Sequence, residues 1–168
     1  KRMVAVAVIT HAIAIVSALL THHLVTHQKS RRLEIRRAPG FKPWRMSKWT
    51  SYGGRLETQG LVGDPSTSLR EQTSQALDKL DDILEEAGTC RSNILHVTIW
   101  LVDIENATAY DEMNAVYDAY LADCYADGER LPTRVCVGAA LTGGFAVEIR
   151  ASAALPLHSV GRKELPNS

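Results

Sequence analysis

The chain has 168 residues, enough for one domain of ordinary size with an extension. Its hydrophobic content of 45% can fill a core, so the composition excludes an intrinsically disordered chain. The net charge is zero, but residues 1–45 hold nine of the 19 Lys and Arg residues and one of the 19 acidic residues. A basic leader therefore precedes an acidic domain, a pattern typical of a targeting, membrane or nucleic-acid arm on an enzyme-like body.

The first predicted element is a segment over residues 3–28 without a full charge, apolar over residues 3–20. A helix over that apolar part spans about 27 Å, close to the roughly 30 Å hydrocarbon core of a bilayer. Three interpretations stay open: a membrane helix, a helix in the groove of a partner protein, and a targeting peptide. If the segment spans a membrane, the basic residues that follow it place the folded domain on the cytoplasmic or matrix side.

Two short strands, over residues 45–52 and 55–59, are predicted around a hairpin turn at Gly53-Gly54. A helix begins at Ser68, because Glu71 three residues later completes a capping-box pattern, and it ends near Gly88. Its apolar face is expected to contain Leu69, Ala76, Leu77, Leu80, Ile83, Leu84 and Ala87.

Residues 94–102 are predicted to form a central strand, in which His96 is more typical of a satisfied core or interface residue than of a ligand. A second helix begins within residues 103–106. Two further strands, over residues 133–140 and 145–153, are predicted to pair as a hairpin through residues 141–144. The order β-β-α-β-α-β-β predicts an α+β fold with two helices on one face of a mixed sheet.

The last two strands carry the residues that are able to take part in a reaction. Strand alternation places Arg134 and Cys136 on one face, and Glu148 stands between two apolar residues of a buried strand. A guanidinium can hold a substrate carboxylate through two hydrogen bonds, and a carboxylate can deprotonate water. A structural Arg134–Glu148 ion pair is an equally good interpretation of the pattern.

Other chemistries have no sequence support. The three cysteines are too widely spaced to indicate a disulfide framework or a zinc site. Nucleotide-binding glycine loops, a zinc-protease motif and a hydrolase elbow are absent from the sequence. These three kinds of site therefore have no support in the sequence.

Several motifs together resemble the RidA/YjgF family over roughly residues 45–155. They are Glu71-Gln-Thr73, the run from Thr98 to Asp103, Met113-Asn114 with Tyr117, Pro132-Thr-Arg134, and Val147-Glu148-Ile149. The resemblance implies a trimeric chorismate-mutase-like barrel with its sites in clefts between subunits. It also implies hydrolysis of 2-imino and 2-enamino acids to 2-keto acids and ammonia, without metal or cofactor. Arg134 would bind the substrate carboxylate, Glu148 would orient water, and Cys136 and Gly60 would line the pocket.

These observations predict three segments: a helix over residues 1–32, a RidA-like domain over residues 33–156 and a tail over residues 157–168. The expected partners are other RidA-like chains in a homo- or heterotrimer, a small imino or enamino acid, and membrane lipid or membrane-complex subunits bound by residues 3–28. The acidic domain argues against nucleic acid and ribonuclease activity.

The expected location is the matrix side of the mitochondrial inner membrane, with the cytoplasm as the alternative. The alternative function is a non-catalytic accessory subunit of a membrane protein complex, since a fold does not fix a function.

Overall fold

A computed structural model of the chain describes residues 13–26, 34–38, 40–41, 45–125 and 130–156. The chain divides into two compact units, residues 1–34 and residues 35–168. The predicted apolar residues 3–12 and the tail over residues 157–168 lie outside the described residues.

In the first unit, residues 13–26 are helical and are named α1 here. The large apolar side chains of α1 are exposed, namely Ile13, Ile15, Val16, Leu19, Leu20, Leu24 and Val25. Among the described residues, no helix has both the length and the apolarity that a membrane crossing requires.

The second unit contains two main helices and nine strands among its described residues. The helices are α2 (Leu69–Glu86) and α3 (Ala107–Ala122). The strands are β1 (Arg36–Arg37), β2 (Gly40–Phe41), β3 (Met46–Ser47), β4 (Trp49–Tyr52), β5 (Arg55–Thr58), β6 (Leu61–Val62), β7 (Ile94–Leu101), β8 (Thr133–Gly138) and β9 (Val147–Ala154).

The first predicted hairpin is confirmed. Strands β4 and β5 pair antiparallel with Tyr52 opposite Arg55, so the turn consists of Gly53 and Gly54. Both glycines have positive φ, 62° and 82°, which is the backbone that a two-residue hairpin turn requires. The first strand is shorter than predicted, because residues 46–47 pair instead with β2 in a separate two-stranded sheet.

Helix α2 begins as the sequence predicts. The Ser68 hydroxyl accepts from the Glu71 backbone N–H, and the Glu71 carboxylate accepts from the Ser68 backbone N–H, which completes the capping box. The helix ends at Glu86, and Gly88 follows with φ 81°. Six of the seven residues of the predicted apolar face are buried, including Leu77, Leu80 and Leu84, and Leu69 is partly buried.

Helix α3 is capped by Asn106, whose side chain accepts from the Thr108 backbone N–H. Its buried residues are Met113, Tyr117, Tyr120 and Leu121. The two helices contact each other, and α2 packs on β9, which places both in one layer over the sheet.

The main sheet has the strand order β1-β4-β5-β9-β7-β8, and β6 also pairs with β9. It is mixed, because β7 and β8 are parallel whereas the other pairs are antiparallel. Strand β7 lies between β9 and β8, so its predicted central position is confirmed. The predicted hairpin between the last two strands is wrong, because β7 separates them.

The last two strands do not form a hairpin because of the connection between β7 and β8. Strand β7 leads through α3 into β8, and a strand, helix and strand in succession form a parallel crossover unit. The segment after β8 then passes β7 and returns as β9 on its other side. The two glycines that suggested a hairpin, Gly143 and Gly144, instead belong to a short 3-10 helix (Thr142–Gly144) and have φ of 73° and 80°.

Candidate functional site

Strand β8 presents Arg134 to the helix-covered face of the sheet. Arg134 lies opposite Val97 of β7, and Val97 is completely buried beneath the helices. Paired residues of neighbouring strands project from the same face of a sheet. The guanidinium therefore reaches towards α3 and is partly buried there.

Three residues of α3 hold this guanidinium. Arg134 Nη1 donates to Asn114 Oδ1 at 2.8 Å, and Nη2 donates to the Tyr110 hydroxyl at 3.4 Å. The guanidinium carbon also lies 4.8 Å from the centre of the Tyr117 ring, a cation–π contact. No described carboxylate pairs with Arg134. Its charge is therefore available to an anionic ligand.

Cys136 shares this face with Arg134, since it lies opposite the buried Ile99. Burial raises the pKa of the Cys136 thiol, and the positive charge of Arg134 opposes that rise. The thiol is therefore protonated at neutral pH and is a poor nucleophile. A protonated, unreactive thiol suits a residue that lines a pocket.

Glu148 lies at the opposite face. It is paired with Trp100 of β7 and Val62 of β6, and its side chain is half-buried. Gly60 is in close contact with it: a Cβ built on Gly60 would stand 1.7 Å from Glu148 Oε1. Only a glycine therefore leaves room for the carboxylate in this position. The structure thus brings Glu148 and Gly60 together.

The structure does not bring Arg134 and Glu148 together within one chain. Their partners on β7, Val97 and Trp100, are an odd number of residues apart and so project from opposite faces. The expectation that one hairpin presents both groups is wrong, and a structural Arg134–Glu148 pair within the chain is excluded. One chain contains two half-sites, the arginine half-site (Arg134, Cys136) and the glutamate half-site (Glu148, Gly60).

The face that carries Glu148 is apolar towards its β8 edge. Val135 and Val137 of β8 are about 40% exposed, and Trp100 beside them is half-buried. His96, on β7, has both ring nitrogens within hydrogen-bonding distance of threonine hydroxyls, those of Thr133 and Thr98. This is the satisfied histidine that the sequence predicted.

The contact between Tyr110 and Arg134 was not expected from the sequence. No role was expected for Asn114 beyond its part in the family motif. Tyr110, Asn114 and Tyr117 are spaced at i, i+4 and i+7, which places them on one helical face. That spacing was the signal available in the sequence.

Among the described residues, no group of three or more His, Cys, Asp or Glu side chains could hold a metal ion. The chemistry that the half-sites can perform is recognition of a carboxylate by Arg134 and proton transfer by Glu148.

Comparisons with known proteins agree with this fold. Residues 47–155 match the family model described as Endoribonuclease L-PSP. A RutC family protein of Aquifex aeolicus is 36% identical over 98 residues, which are 55% of this chain and 73% of that protein. The RutC family protein YoaB of Escherichia coli is 36% identical over 113 residues, which are 65% of this chain and 92% of that protein.

A solved structure is also similar. The crystal structure of a YjgF family protein from Neisseria meningitidis is matched with a TM-score of 0.64 and 32% identity. The match covers 74% of this chain and 98% of that protein.

Proposed function

The chain belongs to the RidA/YjgF family, and we propose that it hydrolyses 2-imino and 2-enamino acids to 2-keto acids and ammonia. The observation that carries this proposal is the partly buried Arg134 guanidinium, which α3 holds through neutral groups and which no described carboxylate neutralises. A guanidinium in this state favours a ligand with a carboxylate.

In the proposed reaction, Arg134 fixes the substrate carboxylate and so positions C2 of the imine. Glu148 accepts a proton from a water molecule, whose oxygen attacks C2. Glu148 returns this proton to the nitrogen, which gives a carbinolamine; transfer of the carbinolamine's hydroxyl proton to the nitrogen then releases ammonia and leaves the 2-keto acid, so one water is consumed for each C=N bond replaced by C=O. An enamino acid first becomes the imine by gaining a proton at C3 and losing one from nitrogen. Positioning is the main demand, because such imines also hydrolyse in water.

The two half-sites lie on opposite faces of one sheet, so we propose that the arginine half-site of one chain meets the glutamate half-site of another. The apolar surface of Trp100, Val135 and Val137 supports such an assembly, since exposed apolar side chains beside one another favour contact with a second chain. A closed ring of three chains would form three equivalent sites.

The direct test is release of ammonia and 2-keto acid from freshly generated 2-iminopropanoate. The full chain is expected to accelerate release above the spontaneous rate, and Arg134→Ala is expected to abolish the acceleration. The matched control is Arg150→Ala, which removes an exposed arginine on the same sheet whose described partner is Glu57. A folded wild-type chain without acceleration would contradict the proposal.

A complementation experiment tests the shared site. Chains with Arg134→Ala and chains with Glu148→Ala are each expected to be inactive alone. Unfolded together and refolded as mixed trimers, they would restore about a quarter of wild-type activity, because one site in four combines an intact Arg134 with an intact Glu148. Mixed trimers without restored activity would refute a site shared between chains.

A second candidate function is favoured by α1, whose large apolar side chains are exposed. We propose that residues 3–28 attach the domain to a membrane, with mitochondrial inner membrane and matrix-side domain as the first candidate location and cytoplasm as the second. The domain could then serve as an accessory subunit of a membrane protein complex.

Sedimentation with anionic phospholipid vesicles tests the attachment. We expect the full chain to sediment with the vesicles and the variant with Leu20→Gln and Leu24→Gln to remain in solution, because both substitutions remove exposed apolar surface from α1. A full chain that stays in solution would contradict attachment to lipid. A chain that binds vesicles but is folded and catalytically inactive would favour the accessory subunit.

Nucleic acid is not expected as a partner. Outside residues 1–45 the chain has eighteen acidic and ten basic residues, and binding to a phosphate backbone depends on clustered positive charge. We therefore propose no ribonuclease activity for this domain.

A further inference from the structure

The Tyr110 hydroxyl occupies an unusual position beside the arginine half-site. It accepts a hydrogen bond from Arg134 Nη2 at 3.4 Å, which uses one of its lone pairs. Its own O–H has no acceptor among the described residues. Within the described part of the chain, a donor without an acceptor therefore lies next to a guanidinium without a carboxylate.

The guanidinium also has N–H groups that no described residue uses. Of its five N–H groups, about two are used by Asn114 and Tyr110. The Nε–H and further Nη–H groups remain for a ligand, and a carboxylate can take two of them side by side. A carboxylate has about four lone-pair sites, so two guanidinium bonds leave room for another donor.

We propose that the Tyr110 hydroxyl donates its proton to the substrate carboxylate and is a specificity-determining residue of the site. This inference rests on the proposed function, because it assigns the same ligand carboxylate to Arg134. It predicts a site that discriminates strongly for the carboxylate of an imino or 2-keto acid and against the neutral amide, since both donors would lose a charged acceptor.

Binding is measured apart from catalysis, by NMR titration of the full chain with 2-oxobutanoate, a 2-keto acid of the product class. Tyr110→Phe is expected to weaken binding of 2-oxobutanoate about tenfold, because a hydrogen bond to a charged group is lost. The matched control is Tyr52→Phe, an exposed tyrosine on β4. It is expected to leave the affinity unchanged. With 2-oxobutanamide, the wild type and Tyr110→Phe are expected to bind equally weakly.

A second experiment, in the Arg134→Lys variant, distinguishes two roles of the Tyr110 hydroxyl: contact with the ligand and support of the arginine side chain. Arg134→Lys keeps the positive charge but lacks the planar fork that reaches Tyr110. If the hydroxyl contacts the ligand, adding Tyr110→Phe to Arg134→Lys weakens 2-oxobutanoate binding further. If the hydroxyl only holds the guanidinium, the added change has no effect, and the proposal is overturned. Unchanged affinity in Tyr110→Phe alone overturns it too.

Kinetics give an independent readout. Tyr110→Phe is expected to raise KM for 2-iminopropanoate about tenfold and to change kcat less than about threefold, because the hydroxyl binds the carboxylate in both ground and transition states. A chain that binds 2-oxobutanoate through Tyr110 but does not hydrolyse the imine would disprove the proposed function and leave this inference standing. An active wild-type chain, together with an unchanged KM in Tyr110→Phe, would support the proposed function and overturn this inference.

Discussion

The contact between Gly60 and Glu148 leads to a sharp prediction for Gly60→Ala. The added Cβ would lie 1.7 Å from Glu148 Oε1 and 2.7 Å from its carboxyl carbon, whereas ordinary contact begins at 3.4 Å. The carboxylate oxygen must therefore move by well over 1 Å. Since the atoms that move are the end of a flexible side chain, the fold can absorb the change.

The expected result is a loss of activity without a matching loss of stability. Misplacing a catalytic group by about 1 Å can lower the rate about 100-fold, so kcat for 2-iminopropanoate should fall between about 10- and 100-fold. The free energy of unfolding should change by less than about 1 kcal/mol, because replacing glycine by alanine also restricts the unfolded chain. The measurements are ammonia release and urea denaturation.

The matched control is Gly138→Ala. A Cβ there would lie 2.6 Å from Ile104 Cγ2, so it also displaces the end of a side chain, but it does not meet Glu148. We expect its kcat to stay within about threefold of wild type. Equal losses of kcat in the two variants would refute the reasoning, as would a fully active Gly60→Ala.

Two predictions concern stability. Ser68→Ala should lower the free energy of unfolding by about 1 kcal/mol at pH 7 in urea denaturation, because α2 loses its cap. Hydrogen bonds from the Ser68 backbone N–H and hydroxyl lower the pKa of Glu71, so only the part of the stabilisation that comes from the hydroxyl's bond to the carboxylate is lost as the pH falls through that lowered pKa; the difference between the two proteins should then narrow. Tyr120→Phe should cost about 1–2 kcal/mol, because its hydroxyl donates to Asp81 at 2.7 Å. Tyr117→Phe should cost less than about 0.5 kcal/mol, because its buried hydroxyl has no described partner; equal losses in the two tyrosine variants would contradict this.

The helix starts and the first turn were predictable because they depend on short stretches of sequence. Ser68 and Glu71 satisfy each other's backbone groups three residues apart, and Gly53-Gly54 supplies two positive φ angles in succession. Neither feature requires knowledge of distant parts of the chain. Their boundaries accordingly agree with the structure to within a few residues.

The arrangement of the last strands was not predictable from local pattern, although one observation pointed to it. Strand β7 was expected to be central, and a central strand requires a neighbour on each side. The neighbours are β8 and β9, which excludes a hairpin between them. The glycines at 143 and 144 indicated a turn, and a turn forms there, but the turn signal carries no information about which strand is paired next.

That arrangement decides how Arg134 should be interpreted. From the sequence, an Arg134–Glu148 ion pair within the chain explained the two charges as well as a ligand site did. The insertion of β7 places them on opposite faces, so neither neutralises the other. A partly buried charge is costly unless hydrogen bonds or an opposite charge compensate it. Among the residues that the structure describes, the groups that compensate Arg134 are neutral, namely Asn114, Tyr110 and the Tyr117 ring. The arrangement is therefore better explained by an anionic ligand than by stability, and under the proposed function the same insertion that excludes the ion pair means that a second chain would complete the site.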